Sequence, residues 1–149
     1  MRKIDARLFE YTAELNINDN ITLISGDSGI GKTLLFNYFD RQSYNNPKIK
    51  CYNAKFIDKL KNGNETTESV VLRQIKELSN CLIIIDNAEV LLGDSVRQHI
   101  VFDGKNKYMI FGRNVSGLWL TENNIASLER DDDKKKIYLN YIYKDVNRK

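Results

Sequence analysis

Gly26-Asp27-Ser28-Gly29-Ile30-Gly31-Lys32-Thr33 decides how the rest of this chain reads. It meets the pattern G-x-x-x-x-G-K-[ST], and its flanks are those the pattern requires. Ile21-Thr22-Leu23-Ile24-Ser25 before it is a short β-branched strand, and Leu34-Leu35-Phe36-Asn37-Tyr38-Phe39 after it opens a helical pattern. A polyphosphate needs many donors and no bulky wall of side chains. Gly26 and Gly31 let the chain curl and Gly29 lets the backbone come close, so successive N–H groups turn inward at phosphate oxygens. The following helix offers its unpaired first N–H groups and the positive end of its dipole to the same anion.

These eight residues resemble the Walker A motif of the P-loop NTPases. The resemblance implies that Gly26, Asp27, Ser28, Gly29, Ile30, Gly31, Lys32, Thr33 and Leu34 contact the nucleotide. Lys32 would reach the β- and γ-phosphates, and the Thr33 hydroxyl would bind Mg²⁺.

The second informative stretch is Cys81-Leu82-Ile83-Ile84-Ile85-Asp86, an apolar run ending in a carboxylate. Strands buried on both faces of a parallel sheet have this composition, and the acid falls at the carboxyl end, where open α/β sheets bind ligands. It resembles a Walker B motif, in which the Asp86 carboxylate would hold the Mg²⁺ shell. Many P-loop ATPases of the AAA+ and ABC types carry a glutamate at the next position, and here that position is Asn87. An amide orients water but is a very poor proton acceptor, so turnover is expected to be slow or to depend on a partner. Glu89 is the nearest substitute, and Asp-Asn-Ala-Glu is similar to a variant of STAND-like ATPases. Lys107-Tyr108-Met109-Ile110-Phe111-Gly112 reads as a further strand, followed by Arg113 and Asn114. In the AAA+ and STAND relatives such a strand carries a polar sensor near the γ-phosphate, so Arg113 would stabilise or report phosphoryl charge, with Asn114 an AAA+-like alternative.

At 149 residues and a formal charge of +3, the chain is expected to form one domain, residues 1–149. No apolar run approaches a membrane span, which leads to a cytoplasmic expectation. Cys51 and Cys81 read as core thiols, and one histidine, His99, makes a zinc cluster untenable. Lys134-Lys135-Lys136 and the basic tail read as solvated surface, and without an aromatic-basic motif nucleic acid is not indicated.

Along the remaining chain, residues 8–17 alternate as a strand with one wet face, and the turn Asn18-Asp19-Asn20 should make it a hairpin partner of Ile21–Ser25. Such a leading strand is similar to that of ABC and SMC-type ATPases. A short strand is expected at 49–52, a helical turn at 54–60, and helices at 67–79, capped by Thr67, and at 96–102, capped by Asp94. Trp119 reads as a core or interface aromatic, Ile125 and Leu128 as one helical turn, and residues 137–143 as a closing strand beside the 21–25 strand.

The fold expected is therefore α/β, a three-layer sandwich with a mostly parallel central sheet. The resemblance to additional-strand P-loop ATPases implies strand order 5-1-4-3-2 with an N-terminal antiparallel strand. The implied function is a minimal Mg²⁺-dependent ATP-binding P-loop protein and hydrolase, with Lys32, Glu89 and Arg113 as catalytic groups and Thr33 and Asp86 as metal ligands. A non-hydrolysing nucleotide switch is the alternative. ATP is preferred over GTP because no N-K-x-D signature is present, and a kinase would need a lid and acceptor pocket that the sequence does not supply. A lone core of this size exposes its nucleotide on one side, so a protein partner or self-association is expected to complete the site.

Overall fold

The computed structural model describes residues 2–25, 31–112 and 117–141. The chain opens with a hairpin of β1 (Arg2–Leu8) and β2 (Tyr11–Ile17), then runs through β3 (Ile21–Ser25) to α1 (Lys32–Ser43). Next come β4 (Ile49–Tyr52), α2 (Ala54–Leu60), α3 (Thr67–Ile75) and β5 (Leu82–Ile85). α4 (Ala88–Leu91) and α5 (Asp94–Phe102) lead to β6 (Lys107–Phe111), and a short 3-10 turn at Glu122–Asn124 precedes the hairpin of β7 (Ile125–Asp131) and β8 (Lys136–Tyr141).

The eight strands of the described residues form one sheet in the order β1-β2-β8-β7-β3-β6-β5-β4. Strands β7, β3, β6, β5 and β4 run parallel to one another, whereas β8 is antiparallel to β7 and β1 is antiparallel to β2. This overturns the expected mostly parallel sandwich of order 5-1-4-3-2: the sheet is mixed and has eight strands, and a five-strand order covers only the run from β7 to β4. Two misreadings account for the difference. Ile125 and Leu128 fit a helical spacing, but Ala126 and Leu128 are buried while Glu129 is half-buried and Arg130 exposed, so 125–131 is a strand. That strand, and not 137–143, lies beside β3, with Leu23 opposite Ile125.

The second concerns the N-terminus. Phe9 continues the odd-numbered series Tyr11, Ala13, Leu15 and Ile17, yet it is a turn residue with φ +56° and 76% exposure. The true preceding series is the even one, Ile4, Ala6 and Leu8, because a two-residue turn sets Leu8 opposite Tyr11. β2 accordingly pairs with β1 and, in parallel, with β8, and not with β3.

The helices divide between the two faces as right-handed crossovers demand. The connection from β3 to β4 carries the chain outward with α1 on one face. The returns from β4 to β5 and from β5 to β6 go the opposite way, and α2 to α5 occupy the other face. Leu35, Phe36 and Phe39 of α1 pack with Ile84, Met109 and Phe111 and also with Leu8 and Leu15 of the hairpin. α1 therefore touches both edge strands, β4 and β1, and the sheet curls around it. On the other face Val71 and Ile75 of α3 and Val96 and Ile100 of α5 cover Ile83, Ile85 and Ile110.

Two expected caps are displaced, and α3 ends at Ile75, four residues short of the expected end at 79. Thr66, not Thr67, caps α3 by accepting from the Ser69 N–H at 3.1 Å. Asp94 does not cap α5, whose first turn is instead held by Glu68 of α3, accepting from the Ser95 N–H and hydroxyl at 2.7 and 2.6 Å. These bonds keep the Glu68 carboxyl below the usual carboxylate range. Cys51 is half-buried and Cys81 buried, both as free thiols. Among the described residues no helix is long and apolar enough to cross a membrane.

Candidate functional site at the carboxyl edge of β3, β6 and β5

Three adjacent parallel strands end on one edge and carry the residues that the two motifs singled out. β3 leads toward α1, β5 ends at Asp86, and β6 lies between them. With strands about 4.8 Å apart, the ends of β3 and β5 are separated by roughly 10 Å. Gly26, Asp27, Ser28, Gly29 and Ile30, as well as Arg113 and Asn114, lie outside the described residues.

Gly31 caps α1 with φ +138° and ψ +7°, a conformation open to glycine. Its carbonyl accepts the first helical bond, from the Leu35 N–H at 2.9 Å. A Cβ at Gly31 would also meet Ile137 Cδ1 of β8 at 2.9 Å, so the backbone sits close against that strand. Lys32 and Thr33 form the first turn of α1, where the helix N–H groups have no partners within the helix. Lys32 is half-buried and Thr33 exposed, and neither has an ion pair or side-chain hydrogen bond among the described residues. Leu34 turns partly into the core beside α1's other apolar residues.

At the end of β5 the backbone N–H of Asp86 donates to Tyr52 O at 2.9 Å, which holds the residue in line with β4. One carboxylate oxygen of Asp86 accepts from the Asn87 N–H at 2.8 Å, and the other has no partner among the described residues. Asn87 is left-handed, φ +57° and ψ +47°, a conformation asparagine tolerates well. Its amide oxygen accepts from the Ala54 N–H at 2.9 Å, at the start of α2. Asn87 thus braces the β4 side of the edge, away from β3.

Glu89 faces the other way. One of its carboxylate oxygens lies 3.1 Å from the point where a Cβ on Gly112 would sit, and the Ala88 methyl lies 2.6 Å from that point. Only a residue without a side chain lets α4 approach the end of β6 so closely. The Gly112 N–H donates to Ile24 O of β3 at 3.2 Å, so the Glu89 carboxylate stands over the strand next to β3. The sequence signal is Gly112 itself, a glycine ending an apolar strand.

Other candidates lie elsewhere. His99 is half-buried on α5 with Nε2 3.8 Å from Asp103, at the amino end of β6. Burial works to raise the Asp103 carboxyl there, but hydrogen bonds from Asn106, Tyr108 and the Lys105 N–H overcome it and leave it below the usual range. Trp119 is 72% exposed, so the core reading fails; it stacks edge-on to the equally exposed Phe102, ring centroids 5.4 Å apart. Among the described residues no group of three or more His, Cys, Asp and Glu side chains could hold a metal ion by itself. The oxygens available, the Thr33 hydroxyl and the open oxygen of Asp86, are hard donors of the kind Mg²⁺ takes alongside phosphate and water. Their chemistry suits that ion, though two donors do not make a cage.

No protein-family model matches this chain, and a search of curated proteins finds no match either.

Proposed function

We propose that this chain is a cytoplasmic Mg²⁺-dependent ATP-binding protein of the P-loop type, turning over slowly or only with a partner. One observation carries the reading: a glycine-capped helix start bearing Lys32 and Thr33 follows a strand flanked on one side by β6 and then by β5 with Asp86. Anions gather at such a helix start because its N–H groups and dipole face them. Lys32 adds a mobile ammonium for the terminal phosphates.

Thr33 and Asp86 would hold Mg²⁺, which when bound neutralises phosphate charge. Glu89, over the end of β6, would accept a proton from the attacking water, a carboxylate being the stronger base of the two groups near this edge. Asn87 would take no part in the chemistry, since its amide oxygen is already engaged by Ala54. The same engagement gives the alternative, a nucleotide-dependent switch that binds without hydrolysing, its specific support: no acid directly follows Asp86.

Phosphate release and binding of labelled ATP, each measured for the wild type and Lys32→Ala, test both. Release lost in Lys32→Ala supports the ATPase. Binding without release, with and without added protein partners, supports the switch. Absence of binding to any nucleoside triphosphate in Mg²⁺ overturns both.

A further inference from the structure

We infer that the outer edge of β4 is a docking site for an extended acidic segment of a protein partner, taken up by strand addition. This does not rest on the nucleotide reading and holds whether or not ATP binds. Among the described residues β4 is the last strand of the sheet and pairs only with β5. Lys48 O and Tyr52 O accept from Leu82 and Asp86, so the even-numbered peptide groups face β5 and the odd-numbered ones face out. The Ile49 C=O and the N–H and C=O of Cys51 consequently point away from the sheet, with no partner among the described residues. Ile49, Lys50 and Cys51 are all only half-buried.

Along this edge runs a cavity of about 460 Å³, with β4 as its floor and the helices α1 and α2 as walls. The pleat sets Ile49 and Cys51 toward α1 and Lys50 with Tyr52 toward α2. The α1 wall ends in Tyr44, 79% exposed, and the α2 wall carries Phe56, 42% exposed. Lys50, Lys55 and Lys59 all line the α2 side, and none has an ion-pair partner among the described residues. Among the described residues the only acid lining the cavity, Asp40, belongs to the α1 wall.

An added strand would therefore show alternate side chains to two unlike walls: acidic ones to the three lysines, apolar ones to the Tyr44 side. A second copy of this chain is a poor occupant, because pairing β4 with β4 would bring Lys50 against a like charge, a device that guards sheet edges. Single-stranded nucleic acid would use the lysines and aromatics but leave the outward peptide groups of Cys51 unmet.

The test uses the full chain with a fluorescein-labelled heptapeptide alternating glutamate and valine, the matching lysine–valine peptide, and a labelled oligo-uridine. Fluorescence anisotropy should show the acidic peptide binding at least tenfold tighter than either other probe. Lys55→Glu/Lys59→Glu, two exposed changes on α2, should weaken it at least tenfold. Saturation with the peptide should slow hydrogen exchange at the Cys51 amide at least tenfold. Equal binding of the two peptides, tighter binding of the oligo-uridine, or binding of the acidic peptide with Cys51 exchange unchanged would each overturn the inference.

Discussion

Gly31→Ala is the substitution for which the structure specifies a cost in two separable parts. The first is conformational: at φ +138° a Cβ is strained, which costs on the order of 1–3 kcal/mol. The second is steric: the new methyl would meet Ile137 Cδ1 at 2.9 Å, and crowding of this kind adds about 1 kcal/mol. Gly63→Ala is the control. Its φ is +61° and no atom lies within 4 Å of a Cβ there, so it should cost only about 1–2 kcal/mol. Ile137→Val removes Cδ1 and leaves Cγ1 as the nearest neighbour at 3.8 Å, ordinary contact. By itself it costs about 0.5–1.5 kcal/mol. Urea unfolding of the wild type, both single mutants and the double mutant closes a cycle. The double mutant should be more stable than the sum of the singles by about 1 kcal/mol, while ATP binding lost in Gly31→Ala stays lost, because trimming Ile137 does not restore the backbone. Additivity within about 0.3 kcal/mol, or Gly31→Ala no costlier than Gly63→Ala, would refute the reasoning.

Three further outcomes follow from the same geometry. Glu89→Gln should lower phosphate release by about 100-fold or more while ATP binding persists, since it removes a proton acceptor and keeps the shape; stopped-flow phosphate detection decides. Asn87→Ala should cost about 1–3 kcal/mol in urea unfolding, losing the bond to Ala54 and straining a left-handed residue, and Asn87→Glu should not raise turnover. Asp103 has a depressed carboxyl, so its contribution to stability is full above the unfolded value of about 3.9 and is lost as pH falls through the lower folded value. Chemical denaturation from pH 6 to pH 2 should show this acid-side decline flattened in Asp103→Asn.

How much of this was legible depended on what kind of signal each element carried. The parallel strands β3, β5 and β6 are apolar almost throughout, and such runs announce burial on two faces without any knowledge of their neighbours. α1 was readable because Gly31 precedes an apolar run and Pro47 follows it. β7 was not, because Ile125 and Leu128 are three apart and satisfy a helical period as well as a strand one; only pairing with β3 and β8 selects between them. The turn at Phe9 escaped for a related reason, an exposed phenylalanine continuing an alternation to which it does not belong. At the site, the motif residues were nameable one by one, but the direction in which Asn87 and Glu89 face depends on Ala54 and Gly112, residues 33 and 23 positions away.

The missed strand β7, and the displacement of β8 from β3 that it causes, bear directly on the proposed site. Because β8 lies beyond β7 and the sheet curls around α1, Ile137 reaches the backbone of Gly31 from the far side of the helix start. A five-stranded sheet ending at β7 would lack the side chain that stands within 4 Å of a Cβ at that glycine. Here the cap of α1 is held between its own helix and a fully buried isoleucine of an antiparallel hairpin. Fixing the helix start in this way would lower the ordering cost that the proposed nucleotide must otherwise meet on binding. It also means that substitutions in the β7–β8 hairpin, far from any motif, should alter affinity at the start of α1. On the proposed reading, Ile137→Ala should weaken ATP binding more than its loss of stability explains, and equal affinity in a folded Ile137→Ala protein would show that the hairpin braces the sheet and not the start of α1.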